Sequence, residues 1–398
     1  MMTKLDPIVL ELIHSKVSSI IEEMRVVLFH SGYSTVLRES EDGSAGLLDA
    51  QLRTVAVSKK LPLHFGSFSA IGEHLPQYYR TDELEEGDII LFNHPYAGNV
   101  THLSDTVVLM PVFAQGTLVA FTGTLAHKAD LGGPQASTAA RDLWEEGLVI
   151  PPTKYYVRGE VNREVERLVA ANSRIPVETL GDLRGQVGAC RVGAERMQEL
   201  CGRFGVEIIK AGCAELMARV AGQLRSALKS MPDGAHEADG ALDHDVISFD
   251  RSLRVHVSVT KKGSDILFDF SGSDQQARGP VNVVPGLIRN TCYFGLMAMT
   301  DASLPFNHGF VDVVKTRFRE GTIVCPRPGA PVSYYVPLAY LTADVVLKAL
   351  GQFIPERAVG SSGGGGGVRI VGTGSKSGKP WVFMELLDTA LGASSKQD

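Results

Sequence analysis

The sequence has no uninterrupted apolar run near the roughly 18 residues of a membrane span, no CxxC pair and no surplus of basic charge. Runs such as IILF at 89–92 and VVLMPVF at 107–113 are too short to cross a bilayer, so a membrane role is not expected. The opening MMTKLDPIVLELIH meets acidic residues before any long apolar stretch, unlike a secretory signal. Five cysteines, at 190, 201, 213, 292 and 325, make an odd and widely spaced set. They point to a reducing compartment, so a cytoplasmic protein is expected. Lys plus Arg total 39 against 45 Asp plus Glu, a formal charge of -6, which excludes a broadly basic nucleic-acid surface. What is present is a 398-residue chain, 44% hydrophobic, long enough for a sizeable core and for two or three units.

Residues 7–29 carry apolar positions at helical spacing, and Asp6 before Pro7 is a good helix start. GDIILF at 87–92 reads as a buried strand, and TVVLMPVF with TLVAFTGTLA, joined by AlaGlnGly, reads as an antiparallel hairpin. Residues 160–225 are expected to be mainly helical, with Arg184, Gln186, Arg191, Arg196 and Arg203 on solvated faces or in ion pairs rather than on an anion. PDGAHEADG reads as a breaker near residue 230, followed by strands at VISFD, LRVHVSVT and DILFD, a helix at 285–299, strands near 309–318 and 322–326, and a helix at 337–350. The expectation is an α+β, mixed multi-segment fold of two parts, 1–230 and 231–398, with the hairpin in the first.

HxxD occurs twice, as His102 with Asp105 and His127 with Asp130. A turn at 114–116 would set His102 opposite His127 at the hairpin's open end, with α-carbons about 5 Å apart. Two imidazoles and a carboxylate suit Zn, Mn or Fe, so His102, Asp105 and His127 are the candidate metal ligands. Two separate His–Asp pairs remain the alternative. Asp130 is a fourth ligand or an acceptor that orients His127. His94 and His64 are candidates for acid/base or outer roles in the same cleft, or are structural; Asp42 and Asp49 orient a polar network or cap turns. Asn93, Tyr96 and Asn99 are placed to position a carbonyl group.

Two other motifs fail. In GTGSKSGKP, Thr373 stands where a phosphate loop needs Gly and Pro380 where it needs Ser or Thr, so no ATP site is expected there. The run Gly363–Gly367 reads as a flexible turn.

NHPYAGNVTHLSD and AHKADLGG resemble the hydantoinase B/oxoprolinase family, and the likeness continues through RESEDGSAGLLDA, LPLHFGS, EEGLVIPP, ANSRIP, LGDLRGQ, FDFSGS and GPVN. The resemblance implies a subunit that works with a hydantoinase A-type partner, the partner using ATP, and it implies His102, Asp105 and His127 as metal ligands. This sequence departs from the family in carrying His94 where NDPY is common, one extra residue before His102, and Lys128 where HHAD is common. It also places Tyr334 and Tyr335 in a segment usually richer in Asn, Glu and Thr, and it ends shortly after a segment where many relatives continue, as a short subunit or part of a larger one. His94, Lys128 and Asp130 are therefore the catalytic candidates around the metal. His94 and Lys128, with the tyrosine pair, favour a ketone carboxylase of the acetophenone type over a hydantoinase, oxoprolinase or lactamase acting on a cyclic amide. A noncatalytic scaffold for the A-type partner is the third alternative.

Overall fold

In the computed structural model the described residues are 5–59, 61–134, 138, 140–361, 363–375, 377–388 and 392–393. The chain begins with helix α1 (Pro7–His30), where the Asp6 carboxylate accepts the Ile8 N–H at 2.7 Å and Pro7 takes a position that needs no donor. A short α2 (Thr35–Arg38) leads into strands β1 (Gly43–Asp49) and β2 (Thr54–Val57), then α3 (Ser67–His74), β3 (Ile89–Phe92) and the single turn α4 (Pro95–Gly98). The expected hairpin follows as β4 (Asp105–Ala114) and β5 (Thr117–His127). After β6 (Thr153–Val157) and β7 (Glu160–Val161) come three helices, α5 (Arg163–Ala171), α6 (Pro176–Phe204) and α7 (Val206–Ser230).

These strands form one seven-stranded sheet in the order β2-β1-β5-β4-β3-β6-β7, with every pair antiparallel. The hairpin lies at its centre and is covered on both faces. Val107, Leu109, Phe121 and Leu125 face the largest core, whereas Val112 and Val119 join the α1 and α6 residues Ile13, Met24 and Met197. Double coverage explains why β3 and β4 read as continuous apolar runs rather than alternating ones. Close approach of α6 depends on Gly193, where a Cβ would collide with the Met24 thioether.

A second sheet is built from β8 (Gly234–Leu242), β9 (Leu253–Lys262), β10 (Asp265–Asp269) and, after helices α8 (Pro285–Met299) and α9 (His308–Val313), β11 (Val314–Arg317). Its order is β11-β10-β9-β8, and α10 (Val336–Gly351) packs against it before a terminal hairpin of β12 (Gly365–Thr373) and β13 (Pro380–Asp388). Val255, Val257, Val259 and Phe268 of this sheet share the largest core with Phe92 and Phe121 of the first. All five cysteines are free, and no described helix is long and apolar enough to cross a membrane.

Several segments differ from their sequence expectation. Of the strand expected near 309–318 the first half is helix α9, capped by Asn307, and only Val314–Arg317 is a strand, while 322–326 makes only isolated bridges. The supposed breaker is an edge strand, because β9 supplies the pairing that Gly234, Asp239 and Gly240 do not favour by themselves. VISFD is a loop: Asp245 Oδ1 accepts the Ile247 and Ser248 N–H groups, and Val246 has φ +63°. The glycine run enters β12, where Gly365, Gly366 and Gly367 pair with β13.

Buried Asp182 of α6 ties that helix to the α1–α2 corner, accepting Tyr33 N–H at 2.7 Å, Ser34 N–H at 3.1 Å and the Ser34 hydroxyl at 2.6 Å. Asp182→Ala leaves three donors without a partner and is expected to lower the unfolding free energy by about 3 kcal/mol. The check is a urea titration, in which a loss below about 1 kcal/mol would show that the corner is held by packing alone.

Candidate metal centre

Strand β4 begins at Asp105 and β5 ends at His127, and these two residues are direct register partners. The sequence put His102 opposite His127. The structure puts Asp105 there: the turn holds only Gln115 and Gly116, Ala114 pairing with Thr117, which moves each partner by one residue, and the register slips by one more between Val112 and Phe113, next to Pro111, which cannot donate to the ladder. His102 occupies the turn before β4, where its carbonyl accepts the Asp105 N–H at 3.1 Å, and its ring still reaches the same point.

His102 Nε2 lies 3.2 Å from His127 Nδ1, and both lie close to Asp105 Oδ1, at 3.3 Å and 3.2 Å. The three donor atoms thus form a nearly equilateral triangle whose sides match the roughly 3.0–3.4 Å edge between ligands held about 2.0–2.2 Å from one ion. All three side chains are buried. Two imidazole nitrogens and a carboxylate oxygen are the donor set of a Zn, Mn or Fe site, so the residues fit a divalent cation. The Thr101 hydroxyl donates to the other oxygen, Asp105 Oδ2, and fixes the carboxylate's rotation. Tyr335 packs edge-on against His102, with ring centroids 5.0 Å apart.

The buried charges of the pocket act on one another. Burial pulls His102 down, but the Asp105 carboxylate outweighs it and leaves the imidazole above its ordinary value. Burial penalises the Asp105 charge, yet His102 and His127 hold this carboxyl well below the usual range. His64, buried and 2.9 Å from Ser44 Oγ through Nδ1, is pushed down by desolvation.

Asp42 stands closer to the centre than the sequence suggested. Its Oδ2 is 3.8 Å from His127 Nδ1, and its carbonyl accepts the His127 N–H at 3.0 Å. Asp49 lies elsewhere, paired with Arg53 in the β1–β2 turn. His94 caps α4, its Nδ1 accepting Tyr96 N–H at 3.2 Å and Ala97 N–H at 3.3 Å. Lys128 is buried, donates to the Ala126 carbonyl at 3.3 Å, and is lowered to about 8 by desolvation. Asp130 is held by Arg174 and by Arg369 of β12.

Asn93 clamps loops rather than presenting free polar atoms: it donates to Leu103 and Leu148 carbonyls and accepts Ile150 N–H. Tyr96 donates to the Ala330 carbonyl, and Asn99 accepts Gly286 N–H. Arg184 and Arg196 pair with Glu166 and Glu23, as their helix faces suggested, but Gln186 is buried instead of solvated, donating to the Thr106 carbonyl and accepting the Thr106 hydroxyl, both at 2.9 Å, because α6 packs on the hairpin there.

Sequence reasoning missed Glu146. One of its oxygens accepts the Val332 and Ser333 N–H groups, and the other is buried without a hydrogen-bond partner among the described residues. Desolvation pushes this carboxyl up to about 7. Only the EEGLVIPP motif marked the stretch.

A sequence model of the family described as Hydantoinase B/oxoprolinase matches residues 6–398. The B-type component of a putative D-/L-hydantoinase from Pseudomonas sp. is 30% identical over 99% of this chain and 69% of its own length. The crystal structure of an ATP-dependent caprolactamase from Pseudomonas jessenii superposes with a TM-score of 0.90 at 28% identity, covering 96% of this chain and 66% of that one. A nucleotide-free acetone carboxylase shares the fold, with a TM-score of 0.87 at 16% identity over 99% of this chain and 55% of that one. The chain therefore spans about two-thirds of the length of the bacterial relatives.

Two outcomes follow from the electrostatics. A cation must displace the proton that Asp105 favours on His102, so zinc affinity is expected to rise with pH through and above the ordinary imidazole value, with proton release. Titration calorimetry in two buffers of different ionisation enthalpy measures this, and proton-independent binding would contradict it. For Glu146 the folded value lies above the ordinary 4.5, so its stabilising contribution is full below that pH and lost as pH rises through about 7. Relative to Glu146→Gln, the natural protein should lose about 3 kcal/mol between about pH 4 and about pH 8. Parallel denaturant curves read this directly, and identical pH profiles would refute it.

Proposed function

The chain belongs to the hydantoinase B/oxoprolinase family, and on that premise we propose that it is the metal-holding subunit of an ATP-dependent hydrolase of cyclic amides. Membership in a family of catalytic proteins makes it an enzyme component. The observation that carries the proposal is the convergence of His102, Asp105 and His127 on one point inside a fold close to that of a caprolactamase. Relatives described as components of a hydantoinase and of a caprolactamase, at 30% and 28% identity, support a cyclic-amide substrate over the ketone favoured by the sequence alone. His94 is engaged as a helix cap and Tyr335 is buried against His102, which weakens two of the grounds for a ketone.

In this proposal His102, Asp105 and His127 hold Zn, Mn or Fe, with the Asp42 carboxylate beside His127. Such an ion would supply Lewis acidity toward a carbonyl oxygen and toward water. Thr101 orients Asp105, and Tyr335 excludes water from the His102 side. The Lys128 ammonium lies within electrostatic reach of Asp105 and Asp42 and offsets their charge. Hydrolysis adds the hydroxyl of water to the carbonyl carbon, breaks the ring C–N bond and leaves the proton on nitrogen. An A-type partner uses ATP, so the working form is a cytoplasmic hetero-oligomer, with this subunit divided near residue 230.

The ketone carboxylase is the second proposal, supported by the acetone carboxylase fold. The two separate in one assay. The chain reconstituted with an A-type subunit and ATP is offered either hydantoins and lactams or ketones with labelled bicarbonate. Amide turnover that falls at least about 100-fold in His102→Ala, Asp105→Ala and His127→Ala, with the complex and its folding intact, is the expected outcome. Label incorporation without amide turnover would replace the hydrolase by the carboxylase. Full turnover in the three variants would make the chain a scaffold.

A further inference from the structure

A cleft of about 640 Å³ opens between the 141–147 loop, the 276–278 segment and the turn at 327–330. Three arginines, Arg141, Arg278 and Arg327, are among its lining residues, all of them exposed, and no Asp or Glu is. Among the described residues none of the three makes an ion pair, whereas Arg25, Arg158, Arg174 and Arg196 each do. The chain as a whole carries a charge of -6, so three uncompensated cations around one concavity stand against the average. Trp144 joins the lining and is 71% exposed, which leaves an indole in solvent beside the arginines.

The backbone beneath these side chains is pinned. Gln276 accepts the Arg327 N–H at 2.9 Å, Leu143 N–H donates to Gly329 at 3.0 Å, and Asp245 accepts the N–H groups of Arg278 and Gly279 at 3.1 Å. Gly329, at φ +93°, lets the indole lie against the turn, since a Cβ there would come within 3.1 Å of the ring. The fixed backbone holds the three arginine stems around one concavity, their exposed guanidinium forks are open to an anion, and the volume is that of a small-molecule site.

We infer that this cleft binds a phosphate-bearing small molecule, its phosphate held by Arg141, Arg278 and Arg327 and a planar group stacked on Trp144. Phosphate is favoured because its several oxygens can engage three forks together, and the ring because an exposed indole beside them offers a stacking face. The inference is independent of the metal proposal, since no residue of the centre takes part.

The chain has two tryptophans, so Trp144 emission can be isolated in a Trp381→Phe background. The probes are phenyl phosphate, inorganic phosphate and ADP, titrated by fluorescence and calorimetry at about 0.15 M salt. Phenyl phosphate is expected to quench Trp144 and bind more tightly than inorganic phosphate. Arg278→Ala and Arg327→Ala should each weaken it about tenfold, and Trp144→Ala should remove the preference for the ring. Arg225→Ala, outside the cleft, should change nothing. ADP binding more tightly than phenyl phosphate would identify a nucleotide as the source of the phosphate, and the reverse a phosphorylated non-nucleotide compound. Equal affinity in the cleft variants, an equal loss in Arg225→Ala, or no binding by any probe overturns the inference. Melting temperatures of the variants separate loss of the site from loss of the fold.

Discussion

Burial of the Asp105 carboxylate between two imidazoles is the constraint to which the centre of this molecule answers. A lone carboxylate taken from water costs several kcal/mol even after relaxation. Here His102, His127 and the Thr101 hydroxyl compensate it directly. Such a cluster keeps its geometry only if the backbone beneath it is rigid, and the middle of a sheet covered on both faces provides that. The residues holding the chemistry sit where β4 begins and β5 ends, at the point where the ladder gives way to loops. Strand pairing fixes two of the three side chains, and the turn from His102 to Asp105 delivers the third.

A second ring of buried charge fixes the loops around the first. Asp130, three residues after His127, is held by Arg174 from the segment before α6 and by Arg369 from the terminal hairpin, so the 128–133 loop is gripped from two distant parts of the chain. Asp182 does the same for the α1–α2 corner, and Asn93 joins the loops on either side of β3 and β4. Each is a buried polar group whose bonding capacity is used by backbone or by an opposite charge, the condition for such groups to rigidify rather than destabilise. Asp130 therefore spends its charge on Arg174 and Arg369, although its spacing from His127 repeats that of Asp105 from His102.

The elements legible in the sequence are those whose signal is local. Helix α1 has its cap, its proline and its apolar stripe, and the β4–β5 hairpin has two apolar runs around a short turn. The triad followed because strand pairing turns sequence spacing into spatial proximity. The register slip at Val112 was hidden because a bulge is a property of two strands together. Edge strand β8 was hidden because β9 supplies what its Gly and Asp residues lack, and VISFD misled because Asp245 draws the backbone into a turn that its apolar neighbours disguise. Asp42 and Glu146 become neighbours of the centre only through tertiary contacts, and single-sequence spacing carries no trace of those.

The 327–335 segment shows how far such contacts extend. It starts at the arginine cleft, donates Val332 and Ser333 N–H groups to Glu146, and ends with Tyr335 against His102. Leu143 and Gly329 join the Trp144 loop to the same segment, so cleft and centre share one continuous stretch of backbone. Contiguity of this kind is a precondition for coupling, but coupling also needs an element with two arrangements. Glu146, Gln276 and Asp245 instead tie the backbone on both sides of the cleft to fixed acceptors. The geometry therefore favours rigid positioning over switching: a ligand in the cleft would meet a receptor already shaped, and the triad would be set by the same bonds whether or not the cleft is filled.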